Sequence, residues 1–274
     1  TEAMRSFRST FNGENQIIGF VPTMGALHEG HLSLVTKAEE SSDVVIVSIF
    51  VNPTQFNDPE DLKNYPRDID GDLKLLSGKK VDAVFIPGIH DIYPHPDERV
   101  FDFGGLDKVM EGKHRPGHFN GVAQVVSKLL DIVNPHKAFF GQKDYQQLTI
   151  IRELARKLGF QTEIISCPII REDNGLAMSS RNQLLTEKEK SEASDIYKTL
   201  VRVMEKKSEK DPEELAKWAI DRIDSNPYLD VEYFEIVNAS NLQPLKSWGD
   251  ASEQIACTAV KINNVRLIDN MIFP

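Results

Sequence analysis

The chain has 274 residues and a formal net charge of −10, and 40% of its residues are hydrophobic. This length suggests two domains, and the acidic balance argues against a nucleic-acid-binding surface, because a phosphate backbone favours a basic protein face. The longest apolar run, at residues 44–51, is too short to cross a membrane, and no signal peptide is visible. Cys167 and Cys257 lack metal-type or redox-type spacing, which predicts a reducing, cytoplasmic location.

The first part of the chain, up to about residue 170, alternates short apolar runs with helical patterns, which is typical of βαβ units and a parallel sheet. We predict strands near residues 17–21, 44–51, 83–86, 138–140 and 163–165. The helices between them are predicted near residues 30–41, 68–77, 119–133 and 145–158. A loop over residues 87–96 contains Pro, Gly and His, and forms either a lid or a simple connection.

The pattern changes after Arg171. Residues 186–225 predict two charged amphipathic helices that break near Asp211-Pro212, and residues 231–269 predict a few strands with turns at asparagines 241, 263 and 264. The predicted fold class is therefore α/β. A Rossmann-like parallel-sheet domain over residues 1–169 is followed by a smaller α+β domain over residues 170–274, with a hinge near residues 170–175.

The most informative segment is Pro22-Thr23-Met24-Gly25-Ala26-Leu27-His28-Glu29-Gly30-His31, where a strand is predicted to give way to a helix. The first amides of a helix have no internal partners and its dipole favours anions, so this junction predicts a nucleotide-phosphate site. Residues three apart share a helix face, so both imidazoles can point at one spot. A structural role is the alternative, and the spacing is not the zinc-protease pattern.

Further candidates follow predicted strands or begin predicted helices. Gln55 lies after the second strand, where polar side chains can hold a substrate, or belongs to an ordinary Asn-Pro turn. Asp72 is a candidate outer ligand for Mg²⁺, or part of a solvated helix face. Arg115 and His118 precede the longest helix of this domain, as phosphate contacts or as a surface turn.

Two later segments add groups suited to phosphate. In Gly141-Gln142-Lys143-Asp144, Lys143 offers a point charge, Asp144 can accept from a ribose or cap the next helix, and Gln147 lies one turn on. This is not a Walker loop, because the required glycine and lysine spacing is absent. Met178-Ser179-Ser180-Arg181 follows the predicted hinge and suits a mobile clamp over phosphate oxygens, although serine-rich loops are common.

Taken together and in this order, these segments resemble the pantothenate synthetase (pantoate–β-alanine ligase) family over nearly the whole chain. That family belongs to the wider group with His-x-Gly-His nucleotide sites, which includes class I aminoacyl-tRNA synthetases and small nucleotidyltransferases. The Lys-Met-Ser-Lys-Ser loop of the wider group appears here as Ala-Met-Ser-Ser-Arg, a form that favours the ligase. The resemblance implies ATP-dependent condensation of (R)-pantoate with β-alanine through pantoyl adenylate, giving pantothenate, AMP and pyrophosphate, with Mg²⁺ as cofactor. It also implies a homodimer, in which residues 1–169 bind nucleotide and pantoate and residues 170–274 form a lid domain.

The resemblance implies a role for each matching residue. His31 is expected to be the catalytic proton donor, with His28, Lys143 and Arg181 as further catalytic groups. Gln55 is expected to bind pantoate and later β-alanine, and Gln147 to hold pantoate. The residues expected to bind ATP are Met24, Gly25, Ala26, Leu27, His28, Glu29, Gly30, His31, Gly141, Gln142, Lys143, Asp144, Ile170, Met178, Ser179, Ser180 and Arg181.

Two other functions remain open from the residues themselves. One is a nucleotidyltransferase that keeps the adenylyl group in its product, and the other is a non-catalytic nucleotide-binding module. A ligase releases AMP, whereas neither alternative does.

Overall fold

The computed structural model describes residues 1–11 and 16–273 of the chain. Its residues pack into two units. The first comprises Thr1–Asp107, Glu111–Gln142 and Gln147–Pro168, and the second comprises Lys108–Met110, Lys143–Gln146 and Ile169–Pro274. The assignment of separate tasks to domains 1–169 and 170–274 stays a prediction, and residues 12–15 and 274 of those ranges lie outside the described residues.

Up to residue 168 the chain alternates helices and the strands of one sheet. In chain order they are α1 (Glu2–Ser9), β1 (Ile18–Thr23), α2 (Glu29–Ser41), β2 (Val44–Ile49), α3 (Pro59–Asn64), α4 (Ile69–Leu76), β3 (Ala83–Phe85), α5 (Ile89–Ile92), α6 (Met110–His114), α7 (His118–Val133), β4 (Lys137–Gly141), α8 (Tyr145–Leu158) and β5 (Glu163–Cys167).

A parallel five-stranded sheet with strand order β3-β2-β1-β4-β5 forms the centre of the first unit. Its strands β1 and β2 are buried on both faces, which explains their nearly continuous apolar sequences. Residues of α7 and α8 pack on one face beside Ile18 and Phe20, and residues of α2 pack on the other beside Val21 and Val47. The chain changes direction across the sheet at β1, which pairs with both β2 and β4. Such a switch point opens a ligand crevice outside the carboxyl ends of the strands.

The predicted strands and the four predicted helices of this region are confirmed, with small differences at their ends. The predicted loop 87–96 contains the short helix α5, and α1, α3 and α6 were not predicted. These four helices span four to eight residues, too few for a hydrophobic period to be recognised.

The second unit contains α9 (Glu187–Glu205), α10 (Pro212–Asp224), β6 (Asp230–Asn238), β7 (Gln254–Ile262) and β8 (Val265–Phe273). The three strands form an antiparallel sheet in the order β6-β7-β8, and apolar residues of α9 and α10 pack with it in one core. Asp211 caps α10 by accepting from the Glu214 amide at 2.8 Å, just before Pro212. The α/β fold with a smaller α+β part is thereby confirmed.

Both cysteines are buried and free, and burial raises the pKa of the Cys167 thiol to about 11. This thiol is therefore protonated and unreactive near neutral pH. None of the helices in the described ranges, 1–11 and 16–273, is long and apolar enough to cross a lipid bilayer.

Candidate active site

Two imidazoles cap the start of α2. His28 is the N-cap residue, in extended conformation, and its Nδ1 accepts a hydrogen bond from the Gly30 amide at 3.1 Å. In return, Nδ1 of His31 accepts from the His28 amide at 3.3 Å, and the two ring centroids lie 4.1 Å apart. This is the reciprocal geometry of a capping box, in which Ser or Thr and Glu or Gln normally stand.

The acceptor roles of the two Nδ1 atoms determine which nitrogen carries the proton. A neutral imidazole has one donor nitrogen and one acceptor nitrogen, so these rings carry their protons on Nε2. His28 and His31 each hold a backbone amide with Nδ1, so Nε2 is the donor nitrogen of each ring. The helix start adds the positive end of its dipole, so this arrangement suits an anionic group.

The loop before His28 is held by a buried carboxylate. Gly25 and Ala26 have φ values of +82° and +49°, in the left-handed region that disfavours a side chain. Asp72, only 2% exposed, accepts from the Ala26 amide through Oδ2 at 3.0 Å and from the Leu27 amide through Oδ1 at 2.7 Å. A Cβ atom at Gly25 would lie 2.9 Å from Asp72 Oδ2. Asp72 and Gly25 together fix the turn that leads into the histidines.

The sequence did not predict this contact of Asp72 with two backbone amides. Burial raises the pKa of the Asp72 carboxyl, while the two amide donors act in the opposite direction. Within residues 1–11 and 16–273, no group of three or more His, Cys, Asp and Glu side chains is placed to hold a metal ion. Its role as a magnesium ligand stays a prediction, and its observed contacts are those of a clamp on backbone amides.

Gln55 lies at the end of a 3-10 turn, Pro53–Gln55, directly after β2. Its Oε1 accepts from Asn52 Nδ2 at 3.0 Å, and its Nε2 donates to the Met24 sulfur at 3.0 Å. The Gln55 carbonyl accepts from Nδ1 of His118 at 2.7 Å, and Arg115 Nη1 lies 3.2 Å from Nε2 of the same ring. Since a carbonyl only accepts and a guanidinium only donates, the neutral His118 ring carries its proton on Nδ1. The structure thus brings Met24, Gln55, Arg115 and His118 together.

Two residues that sequence reasoning did not single out support this turn. Asn52, 1% exposed, donates to the Gly121 carbonyl at 3.1 Å and accepts from the Tyr93 hydroxyl at 2.9 Å. Gly121 in α7 packs so closely that a Cβ atom there would lie 2.2 Å from the Thr54 carbonyl oxygen. A glycine inside a strongly periodic helix is the signal that points to such a close approach.

A cavity of about 300 Å³ opens in the first unit beside this turn. Most of its walls are apolar, and Met24, Gly25 and Asp72 of the predicted site are among its lining residues. It is also lined by Ile49, Phe50, Val51, Pro53, Leu62, Arg67, Asp68, Ile69, Ile86, Pro87, Gly88 and Ile89. Its size and mixed lining suit a small organic molecule.

The predicted residues after β4 divide between the two units. Gly141, the last residue of β4, and Gln142 belong to the first unit, in which β4 is the neighbour of β1. The segments 24–31 and 141–142 therefore follow adjacent strand ends, at the switch point. Gln147 is half-buried in the first turn of α8, and its pairing with Gln55 on one substrate stays a prediction.

The remaining predicted residues lie in the second unit: Lys143, Asp144, Ile170, Met178, Ser179, Ser180 and Arg181. The Met178 amide donates to the Ile170 carbonyl at 2.9 Å, so these two residues are neighbours. Ser179 caps the 3-10 helix Ser180–Leu184, its hydroxyl accepting from the Arg181 amide at 3.3 Å. The loop that we predicted to clamp phosphate therefore contains a capped turn, and its role as a mobile clamp stays a prediction.

Comparisons with known proteins place the chain in a family. The family model described as pantoate-beta-alanine ligase matches residues 1–272. The pantothenate synthetase of Porphyromonas gingivalis W83 is 47% identical over 269 residues, covering 98% of this chain and 96% of that relative. The pantothenate synthetase of Phocaeicola vulgatus is 49% identical over 269 residues, covering 98% and 95% respectively.

Solved structures agree with this similarity. The crystal structure of pantothenate synthetase from Thermus thermophilus superposes with a TM-score of 0.92 at 39% identity, covering 99% of this chain and 98% of that one. The pantoate-beta-alanine ligase of Francisella tularensis, solved with beta-gamma ATP and beta-alanine, gives a TM-score of 0.84 at 39% identity, covering 99% and 95%. With its family model matched from residue 1 to residue 272, this chain belongs to the pantoate-beta-alanine ligase family.

Proposed function

We propose that the chain condenses pantoate with β-alanine in an ATP-dependent reaction that passes through pantoyl adenylate and releases AMP and pyrophosphate. The observation that carries this proposal is the paired imidazole cap of α2, in which His28 and His31 hold two backbone amides at a helix start that follows the first strand of the sheet. Family membership makes the chain an amide-forming ligase. The Francisella relative was solved with beta-gamma ATP and beta-alanine, which supports the same two ligands here.

In the first step a carboxylate oxygen of pantoate attacks the α-phosphorus of ATP. A new P–O bond forms, the bond between the α-phosphorus and the bridging oxygen breaks, and pyrophosphate leaves. Both reactants are anions, so the protein must align them and stabilise charge on the phosphoryl oxygens. The imidazoles of His28 and His31 and the positive end of the α2 dipole supply that stabilisation, together with the cations Lys143 and Arg181.

In the second step the amine of β-alanine attacks the acyl carbon of the adenylate. A C–N bond forms, the C–O bond to AMP breaks, and the amine loses a proton. No protein nucleophile is needed in either step. Exclusion of water protects the adenylate from hydrolysis.

The ligand assignments are part of the proposal. ATP is bound by residues 24–31, 141–144, 170 and 178–181, and pantoate by Gln55 and Gln147, with β-alanine taking the Gln55 side in the second step. Mg²⁺ enters with the ATP phosphates as part of the substrate, because it is commonly held by one or two carboxylates plus phosphate oxygens. Asp72 fits a ligand role poorly, since both of its oxygens accept backbone amides.

We also propose that the protein works as a homodimer in the cytoplasm. The family resemblance supports the dimer, and the two buried free cysteines suit a reducing compartment. Sedimentation velocity at micromolar protein concentration tests the dimer directly. A single species of 30.9 kDa at all concentrations would contradict it.

Exchange of labelled pyrophosphate into ATP, run with pantoate and without β-alanine, tests the reaction. The proposal predicts exchange that depends on pantoate, and release of AMP once β-alanine is added. Binding of ATP without any exchange would instead indicate a nucleotide-binding module. Retention of the adenylyl group in the final product would indicate a nucleotidyltransferase.

A further inference from the structure

The carbonyl of Lys143 is held by a buried amide from the last strand of the second unit. Asn270 of β8 is 1% exposed, and its Nδ2 donates to the Lys143 carbonyl at 2.9 Å. The residues after Lys143 are fastened within the same unit, since the Tyr145 hydroxyl donates to the Ala239 carbonyl at 3.1 Å and Gln146 Nε2 to the Val109 carbonyl at 2.9 Å. Hydrogen bonds to the Lys143 carbonyl and from the side chains of Tyr145 and Gln146 thus hold this turn within the second unit.

A buried ion pair fixes Asn270 in turn. Arg171 contacts both carboxylate oxygens of Asp269, at 2.6 and 3.0 Å, and Asp269 Oδ1 also accepts from the Asn270 amide at 2.7 Å. The Arg171 guanidinium lies 3.9 Å from the centroid of the Tyr197 ring. Burial raises the pKa of the Asp269 carboxyl, while Arg171 and the Asn270 amide act in the opposite direction.

The same arginine holds the start of the segment that leads to Arg181. Arg171 Nη1 donates to the Gly175 carbonyl at 3.1 Å, and Arg171 pairs with Ala177 in an antiparallel bridge. The next pair along this hairpin is the Met178 amide with the Ile170 carbonyl, at 2.9 Å. One guanidinium therefore connects the hairpin before residues 179–181 to the strand that holds the Lys143 carbonyl.

We propose that Arg171, Asp269 and Asn270 are positioning residues, which hold the Lys143 turn and the 178–181 loop as one rigid phosphate-binding frame. This inference rests on the proposed function, because it needs Lys143 and Arg181 to act on ATP. A buried ion pair contributes little net stability compared with apolar residues of the same volume, so the role of this pair is better sought in the geometry that it imposes. Displacement of a catalytic group by about 1 Å can cost about 10²-fold in rate.

Asn270→Leu removes the donor to the Lys143 carbonyl. The same substitution in a Lys143→Ala background shows whether its effect on pyrophosphate exchange depends on the Lys143 side chain. Asn270→Leu should lower kcat/KM for ATP in pantoate-dependent pyrophosphate exchange by at least about 10-fold, with an unchanged pantoate dissociation constant. In a Lys143→Ala background the same substitution should change the exchange by less than about 2-fold, because the group that it positions is gone.

Asn226→Leu is the matched control. Asn226 is another buried amide of the second unit, donating to Glu192 at 2.9 Å, and it lies in the connection between α10 and β6. A positioning role predicts that Asn226→Leu loses as much thermal stability as Asn270→Leu but keeps the exchange rate of the parent protein. If Asn270→Leu does not fold, Asn270→Ser is measured in the same two backgrounds, since its side chain is too short to reach the carbonyl.

The outcomes separate the two proposals. Equal exchange rates in the Asn270 variant and the control, or equal fold-losses with and without Lys143, would overturn the positioning role. A folded parent protein without any pantoate-dependent exchange would instead overturn the proposed function. A loss confined to the background with Lys143 supports the inference.

Discussion

His31 has one observed and one proposed task, and one pair of substitutions can measure them independently. Its Nδ1 accepts from the His28 amide, and its Nε2–H is proposed to stabilise the phosphoryl oxygens. Loss of a capping interaction costs about 1 kcal/mol of folding stability. Loss of a preorganised charge stabiliser costs about 10²-fold or more in rate, which corresponds to about 2.7 kcal/mol in the barrier. His31→Ala should show both effects.

His31→Gln should show only the second effect. Gln is a usual residue at this position of a capping box, so its Oε1 can replace Nδ1 as the acceptor for the His28 amide. Its free energy of unfolding in urea should therefore remain within about 0.5 kcal/mol of the parent value. Pantoate-dependent pyrophosphate exchange should still fall by about 10²-fold or more.

Two results would refute this reasoning. Near-normal exchange in folded His31→Gln would exclude the imidazole from the chemistry. A stability of His31→Ala equal to that of the parent would show that the His31 contact at 3.3 Å contributes nothing as a cap.

Other substitutions test the surroundings of the site. Gln55→Ala should weaken pantoate binding by about 10-fold and spare ATP binding, as calorimetry with each ligand separately would measure; equal losses would contradict it. Gly121→Ala should destabilise the fold by about 1–3 kcal/mol in denaturant unfolding, because its Cβ atom would lie 2.2 Å from the Thr54 carbonyl oxygen in the Pro53–Gln55 turn. Asp72→Asn removes one of two amide acceptors and should cost about 1–3 kcal/mol, with ATP affinity reduced more than pantoate affinity. Arg99 lowers the pKa of Asp97 from 3.8 to about 2, so the ionised carboxylate adds stability that is fully present above pH 3.8 and is lost as the pH falls through about 2. Asp97→Asn should lower stability by at most about 2 kcal/mol at pH 7 and by less than about 0.5 kcal/mol at pH 2, as thermal unfolding at the two pH values would measure.

Long, strongly patterned elements could be predicted from the sequence because burial leaves a direct trace in residue order. The strands β1 and β2 are nearly continuous apolar runs, and α7 repeats its apolar residues with a helical period. The turn predicted at residue 263 is confirmed by a left-handed Asn263, φ +52°, between β7 and β8. Short helices such as α5 carry no comparable repeat, so the prediction of a loop there was incomplete.

Contacts between distant residues account for what the sequence could not show. Asp72 reaches amides 45 and 46 residues away, and no local pattern distinguishes a carboxylate that will clamp a loop from one that will bind a metal. The bond from Asn270 to the Lys143 carbonyl spans 127 residues. Such partners become visible only when the topology brings their strands and turns together.

The two interpretations of the histidine pair that the sequence left open, structural and functional, describe the same atoms. A Ser or Thr at position 28 would be a more usual N-cap, and its single oxygen would both accept from the helix amide and carry the only O–H donor. An imidazole separates these two tasks, because it accepts from the amide with Nδ1 and carries its donor on Nε2, the other nitrogen of a rigid ring. The departure from the preferred capping residues at His28 and His31 therefore supports the proposed role in phosphate binding, because each ring holds the backbone with one nitrogen and carries its donor on the other.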